Sequence, residues 1–285
     1  MSSILPVAHQ RTLSAPFEFA GVGLHSGQLV HVRCLPADPD TGLQLHRVDI
    51  AGSAPFPADY RALDAAAMQR QTTLCGPAGA RVATIEHLLS ACAGLGLTNL
   101  LVELDGPEVP LLDGSARPFV DLIVAAGICE QHENPVREFV IEQPVTFREG
   151  EVEIVALPDE STRFTYFADF PSPVGAQAFH YDLTADYAAE VAPARTFVFE
   201  QEIKMLRKAN LIRGGSMENA LVITSTEYMN GPLRFDNEIA RHKLLDLLGD
   251  VTLLGARIRG HVMAARSGHR THLSFVKMLA ERAQA

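Results

Sequence analysis

The order of the predicted elements indicates an α+β fold with two domains. Each half of the 285-residue chain begins with strand-like runs and continues into helical segments, whereas a doubly wound α/β fold alternates the two along the chain. The polar stretch EQHENPVREF, which contains Pro135, separates the halves. We therefore predict an N-terminal domain over residues 1–133 and a C-terminal domain over residues 134–285.

The N-terminal half contains three predicted strands and two predicted helices. The strands are the runs QLVHVRCL, GLQLHRV and NLLVELD, whose apolar and β-branched residues are typical of β-structure. Between the last two runs the sequence predicts a helix from roughly Thr84 to Ala93 that Gly94 ends. The run PFVDLIVAAGIC predicts the second helix.

The C-terminal half begins with the strand-like runs EFVIEQPVTFRE and EVEIVALP. A helix near residues 199–209 and the strand NALVIT follow them. The segment NEIARHKLLDLLGD predicts a helix over residues 237–250, and a last helix is expected from about Arg270.

Composition and charge exclude several classes of protein. The formal net charge is −10 at pH 7, which disfavours non-specific binding to nucleic acid. No apolar run approaches the roughly 18 residues that a membrane span needs, and the N-terminus does not have the pattern of a signal peptide. The four cysteines are widely spaced, without a CxxC pair, so we expect reduced thiols in a cytoplasmic protein.

Four ionisable residues recur every fourth position in the leucine-rich segment 237–250. They are Glu238, His242, Asp246 and Asp250. Steps of four drift by only about 40° around a helix, so the side chains form one stripe. A solvated stripe would explain a lone pair of this kind, but Ile239 lies within the polar arc and leucines cover the far side. The helix is therefore predicted to be buried, and its ionisable groups need partners such as a metal ion.

A second pair of ionisable residues, Glu86 and His87, lies in the first turn of an otherwise apolar predicted helix. A glutamate favoured by the helix dipole and a hydrogen-bonded core histidine would explain the pair on its own. Alternatively, the two side chains flank one metal ion, because in metallohydrolases a carboxylate beside a ligand histidine serves as the base. His87, His242 and Asp246 would then supply three ligands and leave a fourth position open, as catalytic zinc sites do.

Amide hydrolysis also needs a proton donor for the leaving nitrogen. His269 follows Ser267 and Gly268 at the start of the last predicted helix. For any single histidine, an ordinary loop residue near a helix N-terminus is the favoured explanation. Asp250, however, lies one turn beyond Asp246 and could stabilise an imidazolium at His269, which would raise the pKa of that histidine.

Six segments together resemble one enzyme family. They are GVGLHSG (21–27), TIEHLLSACAGLGLTNLLVELDGPEVPLLDGSARPFV (84–120), ARTFVFEQEI (194–203), GGSMENALV (214–222), RFDNEIARHKLLDLLGD (234–250) and SGHRTHL (267–273). The chain is similar in these segments to the UDP-3-O-acyl-N-acetylglucosamine deacetylases, zinc amidases of lipid A synthesis in Gram-negative bacteria. The resemblance implies two similar α/β sandwich domains with the active site between them.

The resemblance also implies the partners and the roles of the ionisable residues. The substrate would be a UDP-linked acylated glucosamine, and the enzyme would be cytoplasmic, without stable membrane insertion or nucleic-acid binding; we expect a monomer. Glu86 is the implied general base, and His269, supported by Asp250, is the implied general acid. The implied Zn²⁺ ligands are His87, His242 and Asp246.

Further residues are implied to contact the substrate. Thr196 matches the hydroxyl that stabilises the oxyanion, and the next residue, Phe197, matches an aromatic ring that packs on the substrate. Lys243 matches a lysine that contacts the polar head, and Arg266 stands where the family often has a lysine. Residues 199–222 match a hydrophobic passage for the acyl chain, with candidate lining residues Ile203, Ile212, Met217 and Val222.

Two other functions stay open on the residues alone. A different zinc amidohydrolase on the same scaffold would keep the metal residues but lack the acyl passage. A sugar-binding protein with a structural metal would need neither Glu86 nor His269. The segment GVGLHSG is one residue off the dinucleotide-binding fingerprint and is not followed by a predicted helix, so nucleotide binding of that kind is excluded.

Overall fold

The structure is a computed structural model that describes residues 8–64 and 70–282. The elements of these ranges in the N-terminal half are β1 His9–Leu13, β2 Phe17–Val22, β3 Leu29–Pro36, β4 Leu43–Arg47, β5 Phe56–Pro57, β6 Thr73–Cys75, β7 Arg81–Ala83, α1 Glu86–Leu95, β8 Leu100–Leu104, α2 Arg117–Ala126 and β9 Ile128–Pro135. Those that follow are β10 Glu138–Val140, β11 Val145–Glu149, β12 Val152–Leu157, β13 Thr162–Phe170, β14 Gly175–Asp182, α3 Tyr187–Glu190, β15 Phe197–Phe199, α4 Glu200–Lys208, β16 Leu221–Ile223, α5 Glu238–Val251, β17 Arg257–Ala265 and α6 His269–Arg282.

The N-terminal half is organised around a five-stranded sheet with the order β2-β3-β8-β4-β5. Strands β4 and β8 are parallel, and the other pairs are antiparallel. Alternate residues of β3 are buried, with Val30, Val32 and Cys34 facing the core. This period of two is what a sheet with one solvated face requires.

The C-terminal half is organised around a six-stranded sheet. Five of its strands follow the order β11-β12-β17-β13-β14, and β10 pairs in parallel with β17. Strand β17 lies between β12 and β13, and alternate residues such as Ile258, Val262 and Ala264 are buried. Two sheets of separate halves, each with its own helices, confirm the α+β class.

Helices α1 and α5 bring the two halves together. Helix α1 packs against α2 and α5, and α5 packs on β13, β14 and α6. The two helices approach closely at Gly249, where an added Cβ would lie 2.1 Å from the Glu86 carbonyl oxygen. No helix in the described ranges is long and apolar enough to cross a membrane. The close approach places the ionisable residues of α1 and α5 next to each other.

A small unit of β15, α4 and β16 forms one side of the cleft described below. Strands β15 and β16 are parallel, with Phe197 opposite Leu221. A separate apolar cluster beneath them contains Val174, Leu221, Ile223 and Ile239. The unit is therefore anchored to the start of α5, which carries Ile239.

The helix predicted over roughly Thr84–Ala93 is present but lies two residues further along the chain, and the prediction that Gly94 ends it is wrong. It begins at Glu86 and ends at Leu95, and Gly96, with φ +70°, caps it in place of Gly94. Thr84 has a positive φ of 56°, and its backbone N–H donates to the Thr72 carbonyl. The chain is thus fixed outside the helical region immediately before Glu86.

Other boundaries also differ from those predicted. The run EFVIEQPVTFRE forms two strands rather than one, because Pro144 cannot donate a ladder hydrogen bond. The polar stretch around Pro135 was expected to be a break, but β9 runs into it as far as Pro135 and pairs with β1. Helix α2 ends at Ala126, and the Ile128 and Cys129 that were predicted to be helical belong to β9. The boundary between residues 133 and 134 stays a prediction.

Candidate active site

Three buried side chains converge where α1 meets α5. His87 Nε2 lies 3.5 Å and His242 Nε2 lies 3.4 Å from the same oxygen, Oδ1 of Asp246. Each residue is at most 3 % exposed, and all three ligand atoms lie within 4.8 Å of one another. The arrangement combines one ligand from α1 with two ligands one turn apart on α5.

The donor set fits a tetrahedral zinc ion. Bonds of about 2.0–2.1 Å to zinc place tetrahedral ligands roughly 3.3–3.4 Å apart, close to the separations of both imidazoles from Asp246. Among the described residues, the buried Oδ1 of Asp246 has no hydrogen-bond partner, which a metal ion would supply. His242 Nδ1 lies 3.1 Å from the Ala194 carbonyl oxygen, and it must donate there because a carbonyl only accepts. Its Nε2 is then free to bind a metal.

Protonation states favour the same interpretation. Burial lowers the pKa of His242 to about 4 despite the nearby Asp246, so the imidazole is neutral, as a ligand must be. Burial raises the pKa of Asp246, but Lys243 and His242 outweigh it and hold that pKa well below its usual range. The second oxygen of Asp246 accepts a 2.7 Å hydrogen bond from Lys243 Nζ. The carboxylate is therefore ionised.

Glu86 lies beside these residues without sharing their convergence point. One of its oxygens is 3.7 Å from His269 Nε2, and the other accepts a hydrogen bond from the Thr72 backbone N–H at 3.2 Å. Burial raises the pKa of Glu86, and His269 and His87 only partly offset it. A carboxylate with a raised pKa is a better proton acceptor near neutral pH.

His269 faces Glu86 from the first residue of α6. Its Nδ1 lies 2.8 Å from Asp250 Oδ2, the contact expected from the sequence. Burial lowers the pKa of His269, but Asp250, Glu86 and Asp246 outweigh it and raise the pKa to about 9. Burial opposes ionisation of Asp250, yet His269 and His272 lower its pKa to about 2. The pair is an imidazolium and a carboxylate at neutral pH.

Two partners of Asp250 were missed from the sequence. His272 Nδ1 lies 2.7 Å from Asp250 Oδ2, its Nε2 contacts Ser267 Oγ at 2.8 Å, and the Thr72 hydroxyl donates to Asp250 Oδ1. His272 follows His269 by three positions, a spacing that places both on one helix face, so it could have been found. Thr72 lies in a distant loop, and no local pattern points to it.

A cleft of about 910 Å³ opens from these groups between the halves of the chain. Lys243, Asp246 and His269 lie along it with Thr196 and Phe197. Residues of the β15–α4–β16 unit and the loops around it form another wall, which includes all four predicted passage residues, Ile203, Ile212, Met217 and Val222. The structure therefore places the predicted substrate contacts in the same cleft as two of the predicted ligands, His242 and Asp246.

Arg266 and His25 also line the cleft. Arg266 lines it but already pairs with Asp169 at 2.5 Å and Glu151 at 3.2 Å, so an anionic ligand would compete with both carboxylates. His25 also lines the cleft, and within the described ranges its buried Nε2 has no hydrogen-bond partner. Sequence analysis did not select His25, although it lies in the quoted segment GVGLHSG.

Sequence comparison agrees with this geometry. The sequence model of the family "UDP-3-O-acyl N-acetylglycosamine deacetylase" matches residues 10–281. The chain belongs to this family. Relatives called UDP-3-O-acyl-N-acetylglucosamine deacetylase include a Nostoc sp. protein, 41 % identical over 276 residues, which covers 95 % of this chain and 98 % of the relative. One from Thermosynechococcus vestitus is 42 % identical over 272 residues, 95 % and 94 % of the two chains.

The similarity extends to other bacterial groups. The Acidithiobacillus ferrooxidans deacetylase is 42 % identical over 282 residues, which covers 97 % of this chain and 91 % of the relative. The matched residues thus span both halves of the chain, including helices α1 and α5. The family assignment made from the six quoted segments is confirmed.

Proposed function

We propose that this chain is a zinc-dependent deacetylase acting on UDP-3-O-(3-hydroxyacyl)-N-acetylglucosamine. Hydrolysis of the N-acetyl group gives acetate and a free amine, the committed step of lipid A synthesis. Membership of the deacetylase family supports the reaction. The observation that supports the metal is the convergence of His87, His242 and Asp246, with Asp246 Oδ1 buried and lacking a partner among the described residues.

Zinc would be held by these three residues, and when bound it would polarise the amide carbonyl and acidify a water molecule. Glu86 would accept the proton of that water, because its buried carboxylate directly precedes the ligand His87 on α1 and faces His269 at 3.7 Å. His269 is placed to give a proton to the departing nitrogen, because Asp250 keeps it protonated. The reaction needs the base ionised while the acid is protonated.

Thr196 and Lys243 would act on the substrate itself. The backbone N–H of Thr196 donates to the Gly114 carbonyl at 2.7 Å, and its carbonyl accepts from Leu221 N–H at 2.8 Å. A residue fixed on both sides can present its hydroxyl to a developing oxyanion without reorganisation. The ammonium of Lys243 pairs with Asp246 at 2.7 Å, and its side chain is 13 % exposed at the cleft. There it would contact the polar head of the substrate, and Phe197 would pack on the sugar.

The acyl chain would occupy the wall formed by residues 199–222. Ile203 and Ile212 are half-buried, and Met217 is 47 % exposed although it lines the cleft. Apolar side chains left open along a cleft favour an apolar ligand. A different zinc amidohydrolase would have no use for this wall.

Met217→Trp or Ile212→Trp is expected to raise KM for substrates with long acyl chains and to spare truncated ones, because the added ring fills space that the chain needs. Initial rates of acetate release against substrate concentration measure the effect. Met205→Trp is the matched control, since Met205 lies in the same segment, is exposed and does not line the cleft. Equal effects on long and short substrates would show that these side chains do not contact the acyl chain.

Asp250→Asn is expected to shift the basic limb of the kcat/KM profile to lower pH. The active acid is protonated His269, whose pKa Asp250 helps to raise to about 9. Without that charge the imidazolium loses its proton earlier as the pH rises, whereas the acidic limb, assigned to Glu86 and the attacking water, should move little. A pH series of acetate release tests this, and an unchanged basic limb would show that Asp250 is only structural.

The proposed function is tested by acetate release from UDP-N-acetylglucosamine with and without the 3-O-hydroxyacyl chain. Release from the acylated compound, with weak or no release from the unacylated one, is the expected result. Equal rates would favour a different amidohydrolase. Bound substrate without acetate release would favour a sugar-binding protein.

We further propose a cytoplasmic monomer of the Gram-negative lipid A pathway, with domains over residues 1–133 and 134–285. The absence of disulfides among the described residues, where Cys34, Cys75, Cys92 and Cys129 are all free thiols, supports a reducing compartment. The two separate sheets support the division of the chain.

A further inference from the structure

Glu238, the first member of the ionisable stripe on α5, is fully buried and lies away from the metal ligands' convergence point. Its Oε1 accepts hydrogen bonds from the backbone N–H of Arg195 at 3.0 Å and from Arg195 Nε at 2.8 Å. Its Oε2 accepts from a second guanidinium nitrogen at 3.1 Å and from the Arg234 backbone N–H at 2.6 Å. One carboxylate thus holds two separate backbone segments.

The segment that Glu238 holds also contacts two groups of the site. The Ala194 carbonyl accepts the Nδ1 hydrogen bond of His242, and Thr196 follows directly and lines the cleft. Residues 194–196 therefore carry one group that orients a ligand and one that is proposed to contact the substrate. Arg195 lies between these two groups.

The geometry fixes this segment against α5 at two points. Glu238 and His242 are four residues apart and lie on one face of the helix. They bind adjacent residues, Glu238 the Arg195 N–H and His242 the Ala194 carbonyl. The bonds of Ala194 to Val191 and of Thr196 to Gly114 and Leu221 hold the segment to other parts of the chain. Among the hydrogen bonds of the described residues, those of Glu238 and His242 tie residues 194–196 to α5, so without Glu238 only the His242 bond links the Ala194 carbonyl to this helix.

We propose that Glu238 is a positioning residue that, through Arg195, fixes the imidazole of His242 toward the metal and the hydroxyl of Thr196 toward the substrate. The Thr196 part of this inference rests on the proposed deacetylase function, and the His242 part does not. Groups that hydrogen-bond to metal ligands typically change metal affinity by about 10–100-fold when removed. Glu238 does not bond to the ligand His242 itself. It bonds to Arg195, and the neighbouring residue Ala194 supplies the carbonyl that accepts from His242 Nδ1.

The alternative is that Glu238 and Arg195 form an ion pair that stabilises the fold and has no effect on the metal site. Removing a buried carboxylate from Arg195 would then lower the melting temperature but leave metal affinity and the kcat of the folded enzyme unchanged. The two roles differ in zinc affinity, which depends on the orientation of His242, and in kcat at saturating substrate, which depends on Thr196. Both quantities are measurable below the melting temperature of the variant.

The test is Glu238→Gln, which keeps the shape and one acceptor oxygen but not the charge. Competition with a chromophoric chelator is expected to show zinc affinity lowered by about 10-fold or more, and the visible spectrum of the cobalt(II)-loaded protein should change. The kcat for acetate release should fall by at least as much, with KM changed by less than about threefold, because an interaction made in the transition state is lost. Both limbs of the pH profile should stay in place.

Asp49→Asn is the matched control, because Asp49 pairs with the largely buried Arg47 at 2.7 Å in the N-terminal half and does not line the cleft. It should alter stability alone. If Glu238→Gln does not fold, Glu238→Asp keeps the charge but withdraws the carboxylate from the Arg195 backbone N–H, and it should still lower zinc affinity measurably. Wild-type zinc affinity and kcat in the folded variant would overturn the inference. If the wild-type protein releases no acetate, the proposed function fails, and zinc affinity still decides the role of Glu238.

Discussion

Glu86→Ala is expected to lower kcat/KM for deacetylation by about 10²–10⁴-fold while the fold and the zinc content are retained. The carboxylate contacts the Thr72 backbone and faces His269, whereas His87, His242 and Asp246 supply the converging ligand atoms. Its removal therefore takes away the proton acceptor and leaves the ligand set complete. Acetate release and zinc per chain, measured on the same preparation, check both parts.

The matched control for this variant is Glu103→Ala. Glu103 lies on β8 and faces His46 and Arg33, away from the cleft. It should leave deacetylation near the wild-type rate. Loss of zinc from Glu86→Ala would show that Glu86 is a ligand and that its assignment as the base is wrong.

His87→Ala or Asp246→Ala is expected to lower zinc content sharply and to abolish most activity. Three protein ligands leave little redundancy, so loss of one removes a large part of the binding free energy. His87→Ala is the cleaner variant, because Asp246→Ala also removes the partner of the buried Lys243 ammonium and should destabilise the fold. Metal analysis after dialysis, with a thermal melt for each variant, separates the two effects.

His31→Ala serves as the control for histidine removal. His31 pairs with Asp105 at the surface and does not line the cleft, so its loss should leave the zinc content unchanged. Full zinc occupancy in either ligand variant would refute the ligand assignment.

The residues along α5 could be identified from the sequence because their relation is local. Steps of four on a helix fix His242, Asp246 and Asp250 on one stripe whatever the rest of the chain does. The pairing of Asp250 with His269 also required the assumption that the start of α6 lies against α5. The structure shows this contact, at 2.8 Å between His269 Nδ1 and Asp250 Oδ2. Spacing alone did not show that Glu238 turns to Arg195 instead of the metal ligands.

The approach of α1 to α5 could not be derived from either helix alone. It depends on Gly249, which leaves room for the Glu86 backbone, and a glycine inside a helix usually signals only a weaker helix. Contacts of this kind are made between distant segments. The resemblance to a known family supplied the pairing that the local pattern lacked.

Strands β13 and β17 were missed for a different reason. In β17 the buried positions include Gly260 and Ala264, whereas Arg257, Arg259 and His261 alternate with them. Ile258 and Val262 are also buried in this strand. Gly260 and Ala264 carry little apolar surface, which weakens the period-two pattern that Ile258 and Val262 would otherwise give. The strand is defined by its neighbours β12 and β13 on either side and not by its own composition.

The central claim is that this chain is a metal-dependent deacetylase, and acetate release before and after metal removal tests it most directly. The wild-type protein should release acetate from UDP-3-O-(3-hydroxyacyl)-N-acetylglucosamine, lose that activity when a chelator removes the metal, and regain it when zinc is added back. Undiminished acetate release by protein shown by metal analysis to hold no metal would contradict the account.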